Sequence, residues 1–149
     1  MTRPLNISDM LCFSLYSASH AMTHLYRPLL APLGLTYPQY LVLVALWAED
    51  GQNVRQIGTA LGLESNTLTP LLKRMEDSGL ISRTRSRDDE RMVTVSLTEK
   101  ARALQPESDR ITRCILDATG LSIPELIDLR QKITTLKQAL TSHAEPAAD

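Results

Sequence analysis

The chain has 149 residues and a formal net charge of −1, with 43% hydrophobic and only 4% aromatic residues. This length accommodates about one domain, and the low aromatic content favours helices over a barrel or sandwich. The near-zero charge gives no overall indication of nucleic acid. Because residues 1–9 lack a signal-peptide pattern and no apolar run approaches the roughly 20 residues that span a membrane, we expect a cytoplasmic protein with no membrane partner.

The first predicted helix runs from a cap at Ser8 to about Leu30. Its apolar residues recur at alternating spacings of four and three, which form the seam of a helix that packs lengthwise against another helix. The seam consists of Leu11, Leu15, Ala18, Met22, Leu25 and Leu29.

Two shorter helices are predicted next. Thr36 and Gln39 have the spacing of a capping box, which predicts a helix over the apolar residues that follow. Asn53 is the expected cap of the next helix, and Gly62 is its expected end.

A fourth helix and a hairpin complete the centre of the chain. Ser65 or Asn66 opens the helix, which ends at Gly79. Residues 80–86 and 92–98 then alternate between polar and apolar side chains on either side of a polar loop, a pattern that predicts a β-hairpin. Val93, Val95 and Leu97 share one face of its second strand.

The remaining residues predict further helices. Thr98 can cap a helix that Pro106 should kink or split, and an apolar stripe that includes Cys114 ends at Gly120. A capping box of Ser122 and Glu125 then precedes the last helix. That helix carries a second seam, formed by Leu126, Leu129, Ile133, Leu136 and Leu140.

The predicted elements give a mainly α fold with a small β-hairpin, arranged as one compact domain. Two arrangements satisfy the terminal seams, because the first and last helices can pack on each other within one subunit or between two subunits. From the length of the seams we expect a homodimer. The predicted regions are a dimerisation helix in 1–35, a winged helix-turn-helix in 36–98, dimerisation helices in 99–141 and a disordered tail in 142–149.

The fourth helix has the two faces that a DNA-recognition helix needs. Leu68, Leu71, Leu72 and Met75 fall on the core side. Hydroxyl, amide and amine groups on the other side can read base edges in the major groove. These outward residues are Ser65, Asn66, Thr67, Thr69 and Lys73.

Basic residues cluster around this helix and the hairpin. They are Lys73, Arg74, Arg83, Arg85, Arg87 and Arg91. Taken singly, these residues are equally typical of a solvated helix face and a surface hairpin, and acidic neighbours soften the charge. Their combination with the order helix, turn, helix and hairpin predicts a winged helix-turn-helix that binds double-stranded DNA.

The stretches "YPQYLVLVALW", "LTPLLKRMEDSGLISR" and "DDERMVTVSLTEKA" resemble the MarR family of dimeric winged-helix transcription regulators. The resemblance extends from about Asp9 to Ala139. It implies that Arg91 enters the minor groove while Asp89 orients the wing, and that Arg74 contacts the DNA backbone. Arginine suits a narrow groove because its planar, weakly hydrated cation follows the concentrated negative potential.

Residues 11–41, and "LTYPQYL" within them, resemble the OhrR-type branch, whose members sense organic hydroperoxides through an N-terminal cysteine. The matching residues are Cys12, Tyr26 and Tyr37. Because Tyr16 lies one turn beyond Cys12, we expect it to pack against the same pocket. Hydrogen bonds from two phenols would favour the thiolate of Cys12. A cysteine that merely fills apolar space and tyrosines that merely pack at an interface are the alternatives.

The resemblance also bears on the second cysteine, since OhrR-type regulators occur in one-cysteine and two-cysteine forms. In the two-cysteine form, a cysteine after the wing of the other subunit resolves the sulfenic acid. Cys114 lies in that region, which implies the two-cysteine form, although its apolar stripe also suits a packing residue.

Helix geometry indicates where the phenols of this pocket come from. Cys12 and Tyr26 are 14 residues apart, which is about 21 Å along one continuous helix, so the two side chains cannot meet within one subunit. If two first helices cross antiparallel near Ser19, Cys12 of one faces Tyr26 of the other.

We therefore expect a homodimeric repressor that binds a pseudo-palindromic operator when reduced and is released when an organic hydroperoxide oxidises Cys12. The alternatives are a MarR-type repressor released by a small phenolic ligand and a thiol peroxidase. His20 and His24 lie one turn apart, but no third ligand is placed for a metal. No metal or cofactor is expected.

Overall fold

The protein is described by a computed structural model that covers residues 5–144. The described chain is mainly helical with one small sheet, which confirms the predicted fold class. Its helices and strands are α1 Leu11–Leu30, α2 Tyr37–Ala48, β1 Gln52–Asn53, α3 Val54–Leu61, α4 Ser65–Asp77, β2 Ile81–Arg85, β3 Val93–Leu97, α5 Glu99–Leu104, α6 Glu107–Thr119 and α7 Ile123–Ala144.

Local side-chain caps set most helix starts where the sequence predicts them. Thr36 and Gln39 form the capping box of α2, and Asn53 forms a second box with Gln56 in front of α3. Thr98 accepts a hydrogen bond from a backbone N–H in the first turn of α5. These caps satisfy N–H groups that otherwise lack a partner at a helix start.

The start of α1 differs from the prediction. Ser8 does not cap this helix, because it lies inside a short 3-10 turn, Ile7–Asp9, where its N–H donates to Oδ1 of Asn6. Met10 occupies the cap position of α1 without a side-chain hydrogen bond. Asn6 thus draws the preceding residues into a tighter turn, and α1 begins at Leu11. By contrast, α4 begins at Ser65, one of the two residues predicted to open it, with Glu64 at the cap position.

The end of α7 also differs from the prediction. Residues 142–144 were predicted to belong to a disordered tail, but the helix continues through Ala144. Thr141 donates a hydrogen bond to the carbonyl of Lys137, and the sequence has no glycine or proline between Pro124, in the first turn of α7, and Pro146. The rest of the predicted tail, 145–149, lies outside the described residues.

The sheet has the strand order β1-β3-β2 and is antiparallel throughout. The predicted hairpin is formed by β2 and β3, with Ile81 opposite Leu97 and Arg85 opposite Val93. The sequence analysis missed β1, a two-residue strand that pairs Gln52 with Val95. A strand this short is below the length at which alternation can be recognised.

The turn between α3 and α4 brings two backbones close together at Gly58. A Cβ atom on Gly58 would lie 2.8 Å from the carbonyl oxygen of Leu63. This contact is closer than two non-bonded atoms tolerate, so the turn requires glycine.

A Gly58→Ala variant should therefore be less stable by about 1–3 kcal/mol, because the turn must open to admit the methyl group. The measurement is urea unfolding followed by circular dichroism. Thr59→Ala, an exposed position on the same helix, is the matched control and should change the free energy of unfolding by about 0.5 kcal/mol or less. Equal stability of the two variants would contradict the close contact at Gly58.

The chain divides into two compact units, Met1–Thr112 and Arg113–Asp149, and their boundary falls inside α6. The first unit contains the sheet and the helices α1 to α5, whereas Cys114 and α7 belong to the second. The division into regions 1–35, 36–98 and 99–141 was drawn from their expected roles in dimerisation and DNA binding, and it stays a prediction.

Within residues 5–144, no single helix is both long and apolar enough to cross a membrane. Leu11–Leu33 and Tyr37–Ala48, which are bent by 75° relative to each other, meet that criterion only as a pair.

Candidate DNA interface and redox site

The helix α4 presents one apolar and one polar face, as the sequence predicts. Its core residues Leu68, Leu71, Leu72 and Met75 are buried. The residues predicted to contact DNA are all exposed, and they are Ser65, Asn66, Thr67, Thr69, Lys73 and Arg74. Burial of one face fixes the helix on the core and leaves hydroxyl, amide and basic groups free to reach a ligand.

The wing between β2 and β3 is held in shape by Asp89. Oδ1 of Asp89 accepts a hydrogen bond of 3.0 Å from the N–H of Arg91, and its backbone carbonyl accepts one of 3.0 Å from the N–H of Met92. These bonds fix the backbone at the base of the Arg91 side chain. The Arg85, Arg87 and Arg91 side chains are exposed along this hairpin.

Arg83 does not join the free basic residues of the predicted cluster. Its Nη2 atom lies 3.1 Å from Oε1 of Glu76, and its backbone N–H donates to Oε2 of the same carboxylate at 3.0 Å. Hydrogen bonding to Arg83 lowers the pKa of Glu76. The pair links α4 to β2.

A groove of about 640 Å³ lies between α3, α4 and the wing. Ser65 and Thr69 line it from α4, while Asp89 and Arg91 line it from the wing. Arg55 of α3 lines the same groove and is exposed. The sequence analysis missed Arg55 because α3 was interpreted only as a support for α4. Its position two residues after the Asn53 cap could have shown that a basic side chain lies at the start of α3.

The proposed sensing cysteine lies at the exposed end of a continuous helix. Cys12 is exposed and occupies the second residue of α1, and Tyr26 lies in the same helix. Because α1 is unbroken between them, the 14 intervening steps correspond to about 21 Å along its axis. Cys12 and Tyr26 of one subunit are therefore too far apart to touch.

The structure brings the two predicted tyrosines together. The ring centroids of Tyr26 and Tyr37 are 4.6 Å apart, although the residues lie in α1 and α2 respectively. Burial, with smaller contributions from Tyr37 and Tyr40, raises the pKa of Tyr26 to about 12, and burial also raises the pKa of Tyr37. Both phenols thus keep their protons near neutral pH and remain hydrogen-bond donors.

The raised pKa of Tyr26 predicts a loss of stability in alkali. The folded state disfavours the phenolate, so its contribution to stability is complete below pH 10, the ordinary pKa, and disappears as the pH rises through about 12. Phenolate absorbance should show a late ionisation in the wild type that is missing from Tyr26→Phe. The variant should also lose less stability between pH 10 and about 12. Identical titrations of the two proteins would contradict the buried phenol.

The other predicted redox residues occupy separate positions. Tyr16 is 62% exposed, and its ring lies 4.5 Å from that of His20. Cys114 is part-buried in α6. Within residues 5–144, no group of three or more histidine, cysteine, aspartate or glutamate side chains is placed to hold a metal ion.

Comparison with known proteins decides the family. Residues 24–107 match the family model described as transcriptional regulator SarA/Rot. The chain is 44% identical over 136 residues to the organic hydroperoxide resistance transcriptional regulator of Bacillus subtilis (strain 168), covering 91% of this chain and 92% of that protein. This chain belongs to the MarR family of winged-helix regulators.

Solved structures of AbfR are similar to this chain over most of its length. Reduced AbfR bound to DNA has a TM-score of 0.79 at 35% identity, covering 93% of this chain and 95% of that one. Disulfide-formed AbfR has a TM-score of 0.63 at 36% identity, covering 87% and 91%. AbfR comes from Staphylococcus epidermidis. The present MarR-family chain is accordingly a DNA-binding transcription regulator and not an enzyme, so the alternative of a thiol peroxidase is set aside.

Proposed function

We propose that this chain is a cytoplasmic, homodimeric repressor that binds its operator when reduced and releases it when an organic hydroperoxide oxidises Cys12. The observation that carries this proposal is the contact between Tyr26 and Tyr37 at 4.6 Å, formed about 21 Å along α1 from the cysteine of the same chain. Within the described residues 5–144, these two protonated phenols are in ring contact and neither has a side-chain or backbone acceptor for its hydroxyl. Cys12 of a second subunit supplies that acceptor.

The terminal helices support the homodimer. Every residue of the predicted α1 and α7 seams keeps some exposure in the single chain, including Leu11 at 61% and Leu140 at 58%. Apolar seams that are open along two long helices favour association with a second copy, because association removes this surface from water. A two-fold crossing of the α1 helices near Ser19 brings Cys12 of each subunit to Tyr26 and Tyr37 of the other.

The chemistry of the proposed site needs only the thiolate and the peroxide. Phenol hydrogen bonds stabilise the Cys12 thiolate, which attacks one peroxide oxygen. An S–O bond forms, the O–O bond breaks and the departing alkoxide takes a proton to become an alcohol, so the sulfur is oxidised by two electrons and the peroxide is reduced. Exposed apolar residues near Cys12, such as Leu11 and Phe13, favour an alkyl hydroperoxide over the small polar H₂O₂.

Cys114 of the other subunit is the proposed resolving residue. Its thiol attacks the Cys12 sulfenic acid, so an S–S bond forms and water leaves. A disulfide requires Cα atoms within about 7 Å of each other, so this step constrains where the two helices lie in the oxidised dimer. Movement of the helices would misalign the two copies of α4 on the operator.

In the reduced dimer, the two α4 helices read half-sites that lie about 10 base pairs apart on a pseudo-palindromic operator. Arg91 enters the minor groove, while Arg74, Arg85 and Arg87 contact phosphates. The relatives support both halves of the proposal, since one is an organic hydroperoxide resistance regulator and AbfR is known in DNA-bound, reduced and disulfide forms.

Mass spectrometry of the peroxide-treated protein under non-reducing conditions tests this function. The proposal predicts a peptide that joins Cys12 to Cys114, formed between subunits and absent from a Cys114→Ser variant. The variant should instead accumulate sulfenic acid at Cys12. If cumene hydroperoxide releases the protein from its operator while Cys12 remains a thiol, the proposed sensor is wrong.

A further inference from the structure

Tyr26 and Tyr37 are the first members of a longer row of aromatic rings. Tyr40 of α2 lies next to Tyr26, with ring centroids 5.8 Å apart, and Trp47 lies next to Tyr40, with centroids 6.0 Å apart in an edge-on arrangement. The rings of Tyr37, Tyr26, Tyr40 and Trp47 therefore follow one another in contact. This row of rings runs from the proposed peroxide site along α2.

Trp47, at the far end of this row of rings, is hydrogen-bonded to α5, the helix that directly follows the wing. Nε1 of Trp47 donates a hydrogen bond of 3.1 Å to the carbonyl of Ala101 in α5. This helix follows directly after β3, and Thr98, which caps it, donates to the carbonyls of Gly79 and Leu80 at the end of the recognition-helix segment. A shift of Trp47 would thus act on the residues that join α4, β3 and α5.

A second set of hydrogen bonds makes this region one unit. Asp50, three residues after Trp47, accepts a hydrogen bond of 2.9 Å from the N–H of Leu97 at the end of β3. Its other carboxylate oxygen lies 3.0 Å from Nη2 of Arg102 in α5. The end of α2, the wing and α5 are therefore linked by side chains of α2 and the residues that follow it.

Tyr40 and Trp47 each carry a polar group that packing alone does not require. Tyr40 is only 5% exposed, and its phenol interacts with the Thr112 side chain in α6, the helix that carries Cys114 two residues later. Burial raises the pKa of Tyr40, and this interaction acts in the opposite direction. Phenylalanine would fill either position, but at Tyr40 it would lose the link to α6, and at Trp47 it would lose the hydrogen bond to α5.

We propose that Tyr40 and Trp47 are positioning residues that transmit the redox state of the Cys12 site to the DNA-binding wing. The inference rests on the proposed sensor function. In the reduced dimer, the partner's thiolate holds Tyr26 and Tyr37, which hold Tyr40 and, through it, Trp47. Oxidation replaces that acceptor, the phenols move, and the hydrogen bond from Trp47 to Ala101 no longer holds the base of the wing.

The test separates oxidation of Cys12 from its effect on DNA. Operator affinity is measured for the reduced and the cumene-hydroperoxide-treated forms of Tyr40→Phe and Trp47→Phe, and the oxidation of Cys12 is quantified in the same samples by mass spectrometry. We expect Cys12 to oxidise as in the wild type, while the ratio of reduced to oxidised affinity falls by about three- to tenfold in each variant. Val44→Thr, an exposed position between the two rings in α2, is the control and should keep the wild-type ratio.

The wild-type protein supplies a second measurement that does not depend on a variant's folding. Trp47 is the chain's one tryptophan, so its fluorescence reports this position directly. We expect peroxide to change its emission in the wild type and not in Cys12→Ser. Unchanged emission after complete oxidation of Cys12, or wild-type affinity ratios in both phenylalanine variants, would overturn the inference and leave the sensor intact. Full operator binding by oxidised wild-type protein would overturn the proposed function and this inference together.

Discussion

A Cys12→Ser variant is expected to bind operator DNA with wild-type affinity and to remain bound when an organic hydroperoxide is added. Cys12 is exposed on α1, in the same unit as the DNA face but outside the groove between α3, α4 and the wing. Serine has nearly the same size, so the fold and the DNA face stay intact. Its hydroxyl is a far weaker nucleophile than a thiolate and cannot be oxidised by the peroxide.

Electrophoretic mobility shift with and without cumene hydroperoxide gives the result directly. The wild type should release the operator at about one peroxide per subunit, while Cys12→Ser should stay bound at a large excess of peroxide. Cys114→Ser is the matched control, because it keeps the thiol that reacts first. Release of Cys12→Ser by peroxide would exclude the sensor assignment, and release by a phenolic compound with no response to peroxide would favour the ligand-controlled alternative.

An Arg91→Ala variant is expected to bind the operator about 5- to 100-fold more weakly. The slope of log affinity against log salt concentration should also fall, by about one released counterion for each Arg91 contact that is lost. The wing backbone at this position is fixed by the hydrogen bond from the Arg91 N–H to Asp89 at 3.0 Å. The side chain is exposed next to the groove that Ser65 and Thr69 also line. Removing it therefore deletes a positioned cation without disturbing the hairpin.

Fluorescence anisotropy with labelled operator at several salt concentrations measures both effects. Arg110→Ala is the control, since Arg110 is an exposed arginine of α6 that pairs with Glu107 at 2.9 Å and does not line the groove between α3, α4 and the wing. Its affinity and salt slope should match those of the wild type. Equal losses in Arg91→Ala and Arg110→Ala would mean that overall charge, and not the wing, determines binding.

The parts of this fold that local chemistry controls were predictable from the sequence. The capping box at Thr36, the cap at Asn53 and the proline after α5 act over three or four residues, so they could be read directly. The polar and apolar faces of α4 follow from helical periodicity alone. The start of α1 was missed because Asn6 caps a short 3-10 turn that contains Ser8, which places Met10 at the cap position of α1.

The contacts that tertiary structure controls were not predictable in the same way. The pairing of Arg83 with Glu76 depends on how β2 returns over α4, and the sequence showed only two opposite charges seven residues apart. Tyr26 and Tyr37 were identified by resemblance, but their contact depends on the turn between α1 and α2. The hydrogen bond from Trp47 to Ala101 spans 54 residues and has no sequence signature.

The central claim is that each sensing pocket combines a sulfur from one subunit with phenols from the other, and mixed dimers test it most directly. One subunit carries Cys12→Ser, and the other carries Tyr26→Phe with Tyr37→Phe. Only the mixed dimer can place an intact thiol against two intact phenols across the interface. We measure the rate at which Cys12 forms sulfenic acid, trapped with dimedone.

The account predicts that equal mixing and subunit exchange restore the wild-type rate to about half of the Cys12 residues, which is the fraction in mixed dimers. The unmixed phenylalanine variant should react slowly throughout. If every Cys12 in the mixture reacts at the slow rate, while wild-type protein treated in the same way reacts fast, the phenols do not come from the partner subunit and the account is contradicted.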